Sequence, residues 1–197
     1  MIVLGFDTSA AHVAAALLQN GEIIAQQREA MKRGQAERLM VMLEGLLENQ
    51  SLEFADLNAI GVGVGPGNFT GIRVAVSAAR GLALGLKIPA IGVNRFDVIR
   101  AAFGSDGLPS VRAPQDNIYV QEKTNAPRLI SIEEAQALEK TPQFEPDDFN
   151  PAPFITQIAA ARAGSETHRP APLYIKSADA APARDAPPRP VGPGPRP

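Results

Sequence analysis

Proline divides this chain into two unlike parts. Residues 1–100 hold two of the eighteen prolines, Pro66 and Pro89, and twelve of the seventeen glycines. Residues 101–197 hold the other sixteen prolines. Proline removes a ladder donor and breaks helix interiors, so regular elements have room in the first part and are interrupted in the second. A length of 197 residues suits one large domain or two small ones.

The first part reads as a series of clear elements. Residues 2–6 are a short apolar run, a buried strand that ends at the polar triplet Asp7-Thr8-Ser9. Val13 to Leu18 is a second run. It ends at Asn20-Gly21, a strong hairpin signal, and Glu22 to Arg28 returns as a third strand. Between residues 34 and 49 the period changes. Apolar positions 36, 39, 40, 43, 46 and 47 form one helical face, with Val41 and Met42 read as lying off that stripe. Asn58 to Val64 is another buried strand, and Thr70 to Leu86 a helix rich in glycine and alanine that stops before Pro89. Ala90 to Val93 and Arg95 to Ala102 add a strand and a helix.

The expected order is therefore β-β-β-α-β-α-β-α. A dinucleotide-binding fold starts βαβ, and this one does not. The mixed sheet matches a ribonuclease-H-like or actin-like ATPase fold, by analogy of fold. Residues 1–100 are read as that domain and 101–176 as a reduced second domain. The second segment predicts a strand at 118–121, a capping box at Ser131–Glu134, a helix at 154–163 and a last strand at 173–175. From 177 to 197 the composition of Ala, Pro, Arg, Asp and Gly predicts a disordered tail.

Charge and rare residues narrow the chemistry. Nineteen Lys+Arg against twenty-one Asp+Glu gives a net charge of −2, which argues against a free-standing nucleic-acid binder. With no cysteine there is no thiolate zinc site, disulfide or cysteine nucleophile. The two histidines, His12 and His168, lie far apart. No spacing predicts a histidine metal centre or a base for a serine nucleophile. No leader and no membrane span is read from the sequence, so a cytoplasmic location is expected.

Two motifs carry functional alternatives. Asp7-Thr8-Ser9 sits where actin-like ATPases hold metal and phosphates, and it equally makes a strand-end turn. Gly65-Pro-Gly67-Asn68-Phe-Thr70-Gly-Ile-Arg73 lies between a strand and a helix N-terminus, a place that favours an anion. It lacks the Walker lysine, and close helix–sheet packing with Asn68 or Thr70 as N-cap fits it as well. Asp7, Thr8, Gly65, Gly67 and Thr70 are the candidates for a degenerate phosphate loop. The helices at 34–49 and 70–86 offer more apolar surface than one core contact needs, and an exposed remainder would mark a partner site.

Taken together, Leu4-Gly-Phe-Asp7-Thr8-Ser9, Gln35-Ala-Glu37-Arg-Leu39, the Gly65–Arg73 string and Gly81-Leu-Ala-Leu resemble the bacterial TsaB (YeaZ) family over about residues 1–100. Pro172-Leu-Tyr174-Ile-Lys176 is similar in outline to that family's closing strand. The resemblance implies an actin-like protein without a catalytic site, binding no cofactor. It would dock through its two N-terminal-domain helices on the catalytic TsaD-type subunit, which carries a histidine metal site. With a TsaE-type ATPase, that complex moves a threonylcarbamoyl group from its adenylate to N6 of the adenosine beside the anticodon of tRNAs. Self-association into a homodimer and contact with tRNA through the complex are further implications, and Gln35 takes the place of a histidine common in the family.

On this basis Leu39, Met42, Leu43 and Leu46 of the first helix, with Val74, Ala78 and Gly81 of the second, are the expected partner contacts. Met42→Glu is expected to spare the fold and break the complex. Two rivals are an active nucleotide-dependent transferase using Asp7 and the Gly65–Gly67 loop, and a metallopeptidase of the glycoprotease kind.

Overall fold

The computed structural model describes residues 1–123, 125–165 and 168–175. The chain opens with β1 (Ile2–Asp7), β2 (His12–Gln19) and β3 (Glu22–Ala30), an antiparallel meander. Asn20 and Gly21 turn the second hairpin with φ of 53° and 94°, as a tight primed turn requires. Helix α1 (Gln35–Glu48) follows, then β4 (Ala59–Gly63), α2 (Phe69–Leu86), β5 (Ala90–Val93) and α3 (Arg95–Phe103). Strands β1, β4 and β5 run parallel, and the sheet order is β3-β2-β1-β4-β5. This is the mixed α/β, ribonuclease-H-like order expected from the sequence.

A second sheet has the order β8-β7-β6-β9, built from β6 (Leu108–Ala113), β7 (Asn117–Val120), β8 (Arg128–Ser131) and the two-residue β9 (Pro142–Gln143). A short helix α4 (Ile132–Gln136) starts on the expected capping box: Ser131 Oγ accepts from Glu134 N, and the Glu134 carboxylate from Ser131 N. Helix α5 (Ala152–Arg162) ends the regular structure among the described residues. Residues 173–175 form no strand. Leu173 N donates a single hydrogen bond to Val64 O at 2.9 Å. The expected tail at 177–197 lies outside the described residues.

Two cores sandwich the first sheet. On one face Leu4, Phe6, Val13, Ala15 and Leu17 meet α1 and α2. On the other, Val3, Leu18, Ala59, Ile91 and Val93 meet Val98 of α3 and Ile155 and Ala159 of α5. Helix α5 falls in the segment expected to form the second domain, and it packs on this first sheet. Its approach depends on small residues. A Cβ at Gly5 would stand 2.1 Å from Thr156 Oγ1, and one at Gly61 would stand 2.8 Å from the Ala159 Cβ. The alanine run of β2 has the same cause, since Ala14 and Ala16 pack on Ala152. Strand β2 is covered on both faces and reads as continuously apolar.

Candidate functional site

The chemistry-bearing residues of the first part converge where β1 ends. Asp7 is 1% exposed. Its Oδ2 accepts from Ser9 N and Ser9 Oγ, both at 3.0 Å, and from His12 Nε2 at 2.8 Å. Its Oδ1 has no hydrogen-bond partner among the described residues. Burial pushes the Asp7 carboxyl up. The His12 bond, the charges of His12 and Arg95 and the Ser9 bond outweigh that and hold it below the ordinary carboxylate value. Sequence spacing did not reveal this pair. His12 lies five residues from Asp7 on the next strand, and the tight β1–β2 turn folds it back. The arrangement is not a nucleophile–base relay, because serine and histidine both bind the same carboxylate oxygen. Among the described residues no group of three or more His, Asp or Glu could hold a metal ion.

The glycine string closes over this corner. Asn68 caps α2, its Oδ1 accepting from Gly71 N at 2.8 Å. Asn68 N donates to Ser9 O at 2.6 Å, and Thr8 Oγ1 donates to Gly71 O at 2.6 Å. A Cβ at Gly71 would lie 1.9 Å from Thr8 O, one at Gly67 2.2 Å from Ser9 O, and one at Gly63 1.9 Å from Asp7 Oδ1. The Thr8 and Ser9 carbonyls therefore stand against the start of α2, at Gly71 and Gly67, and a cavity of about 980 Å³ opens beside them, lined among others by Ser9, His12, Gly67, Asn68 and Arg95. Gly65, at φ +90°, makes the turn, and Thr70 is exposed rather than capping. Gln35 locks the corner from the other side, with Nε2 donating to Ala10 O at 2.6 Å, to His12 O at 3.0 Å and, more weakly, to Thr8 O at 3.3 Å. These bonds occupy the amide's two protons with backbone, so Gln35 is a clamp.

Helices α1 and α2 give a different picture. Leu39, Met42, Leu43 and Leu46, expected as partner contacts, are buried in the core of this chain. The reason is geometric. Helix α1 packs on β2 and α2 together, and Leu39, Met42 and Leu46 follow i, i+3, i+7 on one face. Met42 therefore lies on the stripe, and Val41 is the residue left outside, 55% exposed. On α2, Val74 and Ala78 are half-buried and Gly81 is exposed. Leu84 is 77% exposed.

Helix α2 bears on the expectation that no segment spans a membrane, and does not overturn it. It is long and apolar enough to cross a membrane by length and composition, although only 28% of it is buried. It carries Arg73 and Arg80, and its buried face packs on the first sheet. Beyond the residues it packs on the core, Leu84 and the glycines at 81 and 85 stay exposed, surface in excess of what the core takes up.

A family model described as TsaD, tRNA N6-adenosine threonylcarbamoyltransferase, matches residues 20–176. The tRNA threonylcarbamoyladenosine biosynthesis protein TsaB of Escherichia coli K12 is 33% identical over 117 residues, 59% of this chain and 50% of that protein. The protein of the same name from Bacillus subtilis 168 is 34% identical over 123 residues, 60% of this chain and 53% of that protein. The chain thus spans about half the length of these relatives. Among solved structures, YeaZ from Pseudomonas aeruginosa superposes with a TM-score of 0.69 at 23% identity, covering 88% of this chain and 99% of that one. That likeness speaks to the fold.

Proposed function

Since this chain belongs to the family of TsaD, tRNA N6-adenosine threonylcarbamoyltransferase, and within it to the TsaB (YeaZ) proteins, we propose that it serves tRNA threonylcarbamoyladenosine biosynthesis as a non-catalytic subunit. In this reading it docks on a TsaD-type catalytic subunit in the cytoplasm. A TsaE-type ATPase joins the assembly, and the chain pairs with a second copy of itself when the catalytic subunit is absent.

One observation carries the reading: the outer face of α2 leaves Leu84, Gly81 and Gly85 uncovered beside its arginines, and Val41 of α1 is likewise exposed. The packed corner supports the same view. A transferase acting through Asp7 and the Gly65–Gly67 loop would need room for phosphates where the Thr8 and Ser9 carbonyls stand. The docking residues are Val41, Val74, Ala78, Gly81 and Leu84. Small side chains at 78 and 81 let a partner helix approach closely.

The test is co-purification of the chain with the TsaD-type protein of the same cell. Val41→Glu and Leu84→Glu each place a charge on an exposed position. They should leave the melting temperature within a few degrees of the parent and abolish the complex. A complex that survives both substitutions would falsify the assignment of this face.

A further inference from the structure

No carboxylate occurs between Asp56 and Asp97, and that stretch contains Arg73, Arg80, Lys87 and Arg95. Arg73, Arg80 and the C-cap Lys87 are seven residues apart along α2. Seven residues bring a helix back to within about 20° and advance it about 10.5 Å, so the three cations form one stripe roughly 21 Å long. The segment around residues 169–174 lies beside this stripe. Arg80 Nε donates to Pro170 O at 2.7 Å, and Arg73 Nε to the Tyr174 hydroxyl at 2.9 Å. Arg169 thereby joins Arg80 and Lys87 around a pocket of about 660 Å³ whose lining contains no acidic residue. At the other end the Arg73 guanidinium lies 3.8 Å from the centre of the Phe69 ring, and Phe69 and Tyr174 pack 5.3 Å apart while both stay exposed.

Structural needs do not account for the stripe. The helix dipole favours Lys87 at the C-terminus but offers nothing to Arg73 near the N-terminus. No ion pair among the described residues involves Arg73, Arg80, Lys87 or Arg169. On the helical wheel the stripe points about 100° away from Val74 and Gly81, and Leu84 lies on the border between them, so the basic edge adjoins the docking flank along one side of the helix.

We propose that this edge of α2 binds the phosphodiester backbone of RNA, which in the assembly proposed above is the tRNA itself. Spaced cations follow a backbone, and the half-exposed Phe69–Tyr174 pair adds aromatic surface at one end of the stripe for an unpaired base. The net charge of −2 still keeps the isolated chain a weak binder. The edge acts when the partner brings the RNA to it. The inference rests on the subunit reading and adds a second ligand to the same helix.

The experiment uses the full chain assembled with its TsaD-type partner, and a tRNA transcript as the probe, titrated over a series of salt concentrations. The double variant Lys87→Ser/Arg169→Ser removes two cations that make no hydrogen bond elsewhere among the described residues. It should weaken binding about tenfold and flatten the plot of log K against log salt by about 2, one per lost phosphate contact. Lys87→Arg/Arg169→Lys should restore both. An unchanged slope in an intact assembly overturns the proposal. So does a double variant that loses the protein partner while its tRNA slope is unchanged, which would assign the edge to an acidic protein surface. Co-elution of the unaltered proteins reads the subunit proposal separately. If they fail to co-elute, that reading falls and this one falls with it.

Discussion

Gly63, Gly67 and Gly71 on one side, and Gly81 and Gly85 on the other, belong to one continuous run of chain and meet opposite surroundings. At the first three a Cβ would strike Asp7 Oδ1, Ser9 O and Thr8 O at about 2 Å. At the last two it would meet nothing within 4 Å. The same residue type thus does two jobs within one strand–helix unit. In the corner glycine permits backbone to touch backbone, and strand and helix close on each other there. On the outer face it leaves a shallow surface that this chain does not fill. Glycine inside a helix costs about 0.5–1 kcal/mol relative to alanine, so glycines that touch nothing weaken α2 for no internal return.

Substitutions can break or sharpen that contrast. The largest effect is expected at the corner. Gly71→Ala forces a methyl onto Thr8 O and should cost about 4 kcal/mol or more, read as loss of the cooperative urea transition. Met42→Glu comes next. It buries an unpaired carboxylate among Leu39, Leu43 and Leu46 and should cost about 3–5 kcal/mol. Circular dichroism of the isolated chain would show unfolding, so loss of partner binding in that variant would report on the core and not on the interface.

A smaller effect concerns pH. The Asp7 carboxyl is held below its unfolded value of about 3.9. Its contribution to stability is therefore complete above that value and is lost as the pH falls through the folded one. Denaturant midpoints measured from neutral to acid pH should fall along this limb, and Asp7→Asn should flatten it. The smallest effect has the opposite sign. Gly81→Ala should stabilise the isolated chain by about 0.5–1 kcal/mol, a rise of roughly 2–4 °C in melting temperature, and should weaken the partner complex. Stabilisation together with an unweakened complex would mean that no helix packs closely there.

The sequence disclosed the first sheet because its signals are local. Asn20-Gly21, the period change at residue 34 and the glycine string each report within a dozen residues. The placement of Met42 was not legible, since it depends on α1 touching α2 as well as β2, a contact set by the whole layer. Strand β6 was missed because Pro109 is its second residue. There it is tolerated at the strand's start, pairing in register with Gln143 of the two-residue β9. The partner of α5 was hidden for a related reason. Apolar residues surround that helix, as befits one pressed into a sheet across β1, β2 and β4, and its periodicity does not name the surface it meets. At the site, Asp7 was singled out and His12 was not, because only the turn brings the two together.

The seating of α5 on Gly5 and Gly61 has a consequence for biosynthesis. A chain elongated from its N-terminus exposes the alanine face of β2 and the outer faces of Ile91 and Val93 until residues 152–162 have left the ribosome. The first sheet is closed by contacts more than a hundred residues apart, such as Thr156 beside Gly5. Such closure is slow and leaves a half-covered sheet open to aggregation during synthesis. A nascent chain arrested just after α3 would therefore be a client for chaperones, and release of α5 would be the event that ends its dependence on them.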